Sequence, residues 1–140
     1  MGRRRVITNS ARETVDLGLR IGESLEKNNV LCFFGDLAAG KTTLIKGIVQ
    51  QITGIKAETV NSPTFAYLNI YDGPRNVYHF DLYRLNNSSD FLAHGFEEYF
   101  SADGVCCIEW SERIEEILPP DHMAIHINHL GENMREIWVS

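Results

Sequence analysis

The stretch "FFGDLAAGKTTL", residues 33–44, decides how this chain folds. Within it Gly35-Asp36-Leu37-Ala38-Ala39-Gly40-Lys41-Thr42 satisfies every fixed position of G-x-x-x-x-G-K-[ST]. At ordinary residue frequencies the pattern arises by chance in about one chain in 200 of this length, so a physical cause is the better account. Glycines let successive backbone N–H groups turn inward and form an anion nest. The first turn of a following helix adds unpaired N–H groups and a positive dipole end. A lysine at position 41 reaches β- and γ-phosphates, and a hydroxyl at position 42 ligates Mg²⁺.

The flanks supply the context this reading requires. "VLCFF", residues 30–34, is a continuous apolar run, the pattern of a strand buried on both faces. "TTLIKGIVQQIT" carries Leu44, Ile48 and Ile52 on one helical face, and Gly54 closes that helix. Upstream, "SARETVDLGLRIGESLEK" predicts another helix, with Val15, Leu19, Gly22 and Leu25 near one face and a capping box formed by Ser10 and Glu13.

A phosphate loop of this kind works with an acid near the magnesium ion, at the tip of a neighbouring buried strand. Two segments fit: "VCCIE" ends at Glu109 after four apolar residues, and "VYHFD" ends at Asp81 but alternates with polar positions. "NSPTF", Asn61–Phe65, reads either as a hydroxyl-rich switch segment contacting a γ-phosphate or as a strand entry stiffened by Pro63. Trp110, next to Glu109, is either an aromatic gate or a packing residue. His122, His126 and His129 have metal-like spacing only on a helix. Ile125 and Ile127 alternate with His126 and Asn128, so the segment reads as a strand and the spacing carries no metal site.

Elsewhere the pattern is strand-rich. "PTFAYLNIY" and "RNVYHFDLYRL" predict two strands joined by a turn at Asp72-Gly73-Pro74. "SSDFLAHGFEEYF" predicts a helix, "GVCCIEW" a strand, "SERIEEILPP" a short helix, and "MAIHINH" and "REIWVS" two last strands. The sum is a single α/β domain over residues 1–140, a P-loop-like fold with a central mixed sheet flanked by helices.

Composition narrows the function classes. The 140 residues carry a net charge of −6, with 44% hydrophobic and 23% charged residues, values of an ordinary globular domain rather than a nucleic-acid or membrane platform. "MGRRR" is followed too soon by polar residues for a secretory signal and lacks the Ser or Thr of a myristoylation signal, so residues 1–5 read as a flexible basic tail. Three cysteines in apolar segments suit free thiols in a reducing cytoplasm, and no run is long enough to span a bilayer.

"GDLAAGKTTL", "SPTFAYLNIY", "HFDLYRL", "GFEEYF" and "CCIEWSE" together resemble, in order and spacing, the bacterial TsaE (YjeE) ATPases, from about Thr8 to Ile137. The resemblance implies an ATPase required with TsaD and TsaB for threonylcarbamoyl modification of adenosine in ANN-decoding tRNAs. It assigns the phosphates of ATP to Asp36, Leu37, Ala38, Ala39, Gly40, Lys41, Thr42 and Thr43, and Mg²⁺ to Thr42 and Glu109. It further implies that Asp81 supports metal or water, that Thr64 belongs to a switch-like segment, that Trp110 is tied to activity, and that Arg135 with residues near Ser10 lines the nucleoside end. Ala38 departs from the glycine usual in the family, which puts the shape of the loop in question.

Three functions follow as alternatives: an ATPase serving a multiprotein tRNA-modifying machine, a switch in which ATP occupancy alone controls assembly, and a small-molecule kinase. The kinase reading lacks the clustered arginines of a lid, and a GTPase reading lacks an N-K-x-D motif. Arg84 in "DLYRL" reads as an arginine finger or as a surface residue. The acidic balance assigns contact with tRNA to the partners.

Overall fold

Val30–Phe34 forms β2, and its apolar run is buried because β2 lies inside a sheet covered on both sides. A computed structural model describes residues 3–26, 29–36, 40–63 and 65–140. Its elements are β1 (Arg4–Thr8), α1 (Ala11–Ser24), β2, α2 (Lys41–Thr53), β3 (Leu68–Tyr71), β4 (Asn76–Asp81), α3 (Ser88–Ala93), β5 (Gly104–Glu109), β6 (Met123–His129) and β7 (Arg135–Val139). Short 3₁₀ segments occupy Ala57–Thr59, Phe96–Phe100 and Ser111–Ile117, the last interrupted by a kink at Ile114.

The seven strands form one mixed sheet in the order β1-β7-β6-β2-β5-β4-β3. β2 runs parallel to β5 and β6, and β5 runs parallel to β4. The outer pairs β3–β4, β6–β7 and β1–β7 are antiparallel. Strand alternation divides the core into two layers. Leu31, Phe33, Val77, Val105, Cys107 and Ile125 meet Leu17, Ile21, Leu44 and Ile48 of α1 and α2. Cys32, Phe80, Cys106 and Ile108 meet Phe91 of α3 and Ile114 on the opposite face. A sheet with parallel centre and helices on both sides offers ligands the carboxyl ends of its strands.

Ser10 caps helix α1 as expected, Glu13 N–H donating to its Oγ at 3.1 Å, but the return bond differs from a capping box: it is Asn9 N–H, not that of Ser10, that donates to Glu13 Oε1, at 2.9 Å. Its buried face differs from the sequence expectation. Thr14, Leu17, Gly18, Ile21 and Gly22 point inward, while Val15 and Leu19 are only half-buried. The reason is a backbone-to-backbone crossing with α2. A Cβ on Gly18 would stand 2.2 Å from the Leu44 carbonyl oxygen, and one on Gly47 would stand 2.1 Å from that of Val15. Gly22 and Leu25 are buried as expected, but Gly18 centres the contact, so the buried face is rotated away from Val15 and Leu19.

Two further expectations are corrected. Arg4 and Arg5 do not belong to a flexible tail; they begin β1, paired in register with Val139 and Trp138. The β-branched residues Val6, Ile7 and Thr8 favour a strand, and the arginines fit an exposed sheet edge. The helix expected over "SSDFLAHGFEEYF" breaks at Gly95, whose φ of 74° separates α3 from a 3₁₀ segment. Gly54 ends α2 as expected, in the left-handed conformation. Among the described residues no helix is long and apolar enough to cross a membrane.

Replacing Gly47 by Ala inserts a methyl group where the partner backbone already stands. We expect Gly47→Ala to lower stability by about 1–3 kcal/mol, as overpacking of a filled core does. Urea unfolding measures it, and an unchanged midpoint would show that α1 and α2 do not cross at these glycines.

Candidate functional site

Gly40 supplies the N-terminal cap of α2 with φ 107°, a conformation that a side chain resists, so the loop can turn sharply into the helix. Lys41 and Thr42 therefore occupy the first turn, where backbone N–H groups have no intrahelical acceptor. Across from them, β4 and β5 end together, with Asp81 paired to Glu109 and His79 paired to Cys107. Alternation places His79, Asp81 and Glu109 on the face that carries α2, because Val77 and Cys107 of that same face pack in the α1–α2 core.

The side chains of these elements meet. Thr42 Oγ1 lies 3.0 Å from both carboxylate oxygens of Glu109 and donates to them. On the other side of the carboxylate, His79 Nε2 lies 2.6 Å from Glu109 Oε2. Asp81 accepts from Ser62 Oγ and, at 3.0 Å, from the Tyr83 N–H. Lys41 Nζ donates to the Gly35 carbonyl at 2.6 Å and rests 4.1 Å from the centre of the Trp110 ring. Trp110 in turn packs against Tyr83, with ring centres 5.0 Å apart.

Lys41, Thr42, Ser62, Asp81, Glu109 and Trp110 line a cavity of about 400 Å³ that also reaches Arg135, with His79 behind its wall. A smaller cavity of about 70 Å³ adjoins it between Ala11, Thr14, Thr43 and Arg135. The expected nucleoside-end residues thus divide. Arg135 is at the boundary of both cavities, its Nη1 donating to the Gly131, Glu132 and Met134 carbonyls. Ser10 spends its hydroxyl on the α1 cap, and its neighbours Ala11 and Thr14 face the cavity. Asp36 is exposed just after β2, and Arg84 lies over the Phe65 ring at 4.5 Å. Leu37, Ala38, Ala39 and Thr64 lie outside the described residues.

Lys41 is only 4% exposed, and burial pulls its pKa below the ordinary lysine value. The carboxylates of Glu109, Glu112, Asp81 and Asp36 oppose that shift. A cation held in a low-dielectric site among acids is suited to meet a polyanion. For a divalent cation, the described residues contain no group of three or more His, Cys, Asp or Glu that would hold it by themselves. One hydroxyl and one carboxylate, Thr42 and Glu109, fit a small hard ion that takes few protein oxygens and completes its shell with phosphate and water.

Sequence reasoning missed His79 and Ser62. The signal for His79 was present: it stands two residues before Asp81 in a strand and so shares its face. Ser62 was quoted within "NSPTF", but only the fold brings it against Asp81, 19 positions away.

The chain is similar to known proteins over most of its length. The family described as "Threonylcarbamoyl adenosine biosynthesis protein TsaE" matches residues 8–137. A Treponema pallidum protein named tRNA threonylcarbamoyladenosine biosynthesis protein TsaE is 40% identical over 136 residues, covering 97% of this chain and 99% of that protein. A Bacillus subtilis protein of the same name is 46% identical over 110 residues, covering 78% and 67%. The crystal structure of Bacillus subtilis YdiB superposes with a TM-score of 0.80 at 32% identity, covering 99% of this chain and 84% of that one.

The lysine offers a direct test of the electrostatics. Its proton is held less tightly in the folded chain than in the unfolded one. Between those two pKa values the unfolded chain binds more protons, so this group's penalty to stability is relieved as pH rises. We expect Lys41 Nζ to titrate below the ordinary lysine value in NMR of the metal-free protein. Glu109→Gln should lower it further, since Glu109 is the foremost of the carboxylates holding it up. A midpoint at the ordinary lysine value would contradict the burial.

Proposed function

The chain belongs to the TsaE family, whose members act in tRNA threonylcarbamoyladenosine biosynthesis, and on that premise we propose that it is a magnesium-dependent ATPase working with TsaD and TsaB. The observation that carries the proposal is the contact of Thr42 with Glu109, which brings the hydroxyl of a phosphate loop and the acid of a second parallel strand to one point. Mg²⁺, when bound there, supplies charge neutralisation on the β- and γ-phosphates.

Each residue of the chain then has a task. The first turn of α2 binds phosphate oxygens through its N–H groups. Lys41 exchanges the Gly35 carbonyl for the γ-phosphate and offsets charge as the terminal P–O bond breaks. Asp81, fixed by Ser62 and the Tyr83 N–H, faces the same cavity and orients the attacking water. Water adds to the γ-phosphorus as the bond from that phosphorus to the β-phosphate oxygen breaks. ADP departs with that oxygen, phosphate retains the oxygen delivered, and the proton the water gives up passes to solvent. TsaD and TsaB stimulate this turnover, and tRNA meets the complex through them, in keeping with the chain's net charge of −6.

The bond between Ser62 and Asp81 favours a second reading as well. It ties the segment after α2 to the acid at the site, so ATP occupancy alone can alter a surface that partners touch. Glu109→Ala separates the two: a variant that binds ATP and partners yet supports no modification requires chemistry, whereas full support means that occupancy suffices.

The decisive measurement is reconstituted tRNA threonylcarbamoylation with TsaD and TsaB over many turnovers. Lys41→Ala should lower the rate on the order of a hundredfold, as loss of one charge-stabilising donor does. Yields equal to wild type would defeat the proposal, and ATP turnover unchanged by TsaD and TsaB would defeat its partner clause. Nucleotide binding should also move Lys41 off the indole ring and change tryptophan emission. The change should survive Trp138→Phe and vanish in Trp110→Phe; the reverse pattern would place the nucleotide elsewhere.

A further inference from the structure

His79 is fully buried, and among the described residues the only hydrogen bond of its side chain joins Nε2 to Glu109 Oε2 at 2.6 Å. Its Nδ1 is buried with no partner among the described residues. An ionised carboxylate can only accept, so Nε2 carries the proton and donates. Filling this volume with an aliphatic residue would avoid burying an unsatisfied nitrogen, so packing alone does not account for an imidazole here. What the imidazole supplies is one directed donor onto one oxygen of the acid.

We propose that His79 is the positioning residue of Glu109. From β4 it pins Oε2, while Thr42 Oγ1 contacts both oxygens from α2. The carboxylate is thereby stopped from rotating, and Oε1 keeps a fixed aim beside the Thr42 hydroxyl. Partners of this kind orient a metal-binding oxygen without touching the metal. The inference rests on the reading of Thr42 and Glu109 as the magnesium side of the site, and it adds to that site a residue that touches neither metal nor nucleotide. His79 is also on the same pleat as Asp81, so one strand sets the orientation of one acid and carries the other.

The test compares His79→Leu, which keeps bulk and removes the donor, with His79→Gln, whose amide can reach toward Oε2. The Mg²⁺ midpoint for ATP binding and the affinity for ATP in chelator are measured by calorimetry on each full-length variant. His79→Leu should raise the Mg²⁺ midpoint 10- to 100-fold, the usual loss when such a partner is removed. Its metal-free ATP affinity should stay within about twofold, and His79→Gln should recover most of the loss. An unchanged midpoint in His79→Leu, or equal impairment of both folded variants, overturns the proposal.

A second readout needs neither metal nor nucleotide. Nitrogen-15 NMR of the wild-type protein should show the Nε2–H tautomer, with a slowly exchanging ring proton whose shift changes in Glu109→Gln. A neutral ring with its proton on Nδ1 and none on Nε2, or a ring signal indifferent to Glu109→Gln, overturns the proposal even where the leucine variant fails to fold. Should wild-type protein show no Mg²⁺ dependence at all, the magnesium reading fails, while the tautomer still decides whether His79 holds Glu109.

Discussion

Everything at this site depends on the tip of β5 touching the first turn of α2. Thr42 belongs to the helix and Glu109 to the strand, 67 residues apart in sequence, and their side chains meet at 3.0 Å. Neither element sets that distance by itself. β5 is fixed by parallel pairing with β2 on one side and β4 on the other. Helix α2 is fixed from outside by α1, through an approach so close that only glycine fits at Gly18 and Gly47. The helix cannot slide or roll without driving a carbonyl into a neighbouring backbone, so the position of its N-terminus is inherited from packing well away from the cavity.

The same arrangement explains why two acids rather than one face the loop. β4 and β5 are parallel neighbours in register, and both end where the sheet meets α2. Asp81 and Glu109 are therefore presented side by side, yet they are held differently. Glu109 is gripped by groups from helix and strand, Thr42 and His79. Asp81 is held by a segment that precedes β3 and by the backbone just beyond its own strand. Glu109 is thus anchored in the rigid core, while Asp81 is coupled through Ser62 to a connecting segment of the kind that adjusts more readily.

Much of this was legible in the sequence because its causes are local. The apolar run at 30–34, the glycines of the loop, the i, i+4, i+8 pattern after it and Gly54 each act over a few residues, and the structure places β2, α2 and its cap where they predict. Glu109 could be read for the same reason: an acid after an unbroken apolar run has to emerge at a strand end. What escaped was non-local. The register that sets His79 against Glu109 and the pairing that turns Arg4–Thr8 into a strand depend on partners 30 and more than 100 positions away. The face of α1 was read only in part: Gly22 and Leu25 are buried, but Gly18, which contributes nothing to a hydrophobic pattern, sets how near the two helices come and leaves Val15 and Leu19 half-buried.

Local rules fail most sharply at the site itself. Trp110 adopts φ 61°, a left-handed conformation that costs a bulky residue about 1–2 kcal/mol. The turn it makes is immediate: β5 ends at Glu109, and a 3₁₀ segment begins at Ser111. An extended residue at this point would carry the chain onward past the sheet, and the indole would leave Lys41 and Tyr83. The left-handed kink instead folds the ring back over the lysine. A buried ammonium is thereby covered by an aromatic face and by the Gly35 carbonyl, two partners weaker than a phosphate. Strain in the backbone and desolvation of Lys41 both raise the free energy of the protein at this point, and a polyanion in the cavity relieves the second of them directly. The fold holds its cation where water satisfies it poorly, which is why a ligand can satisfy it well.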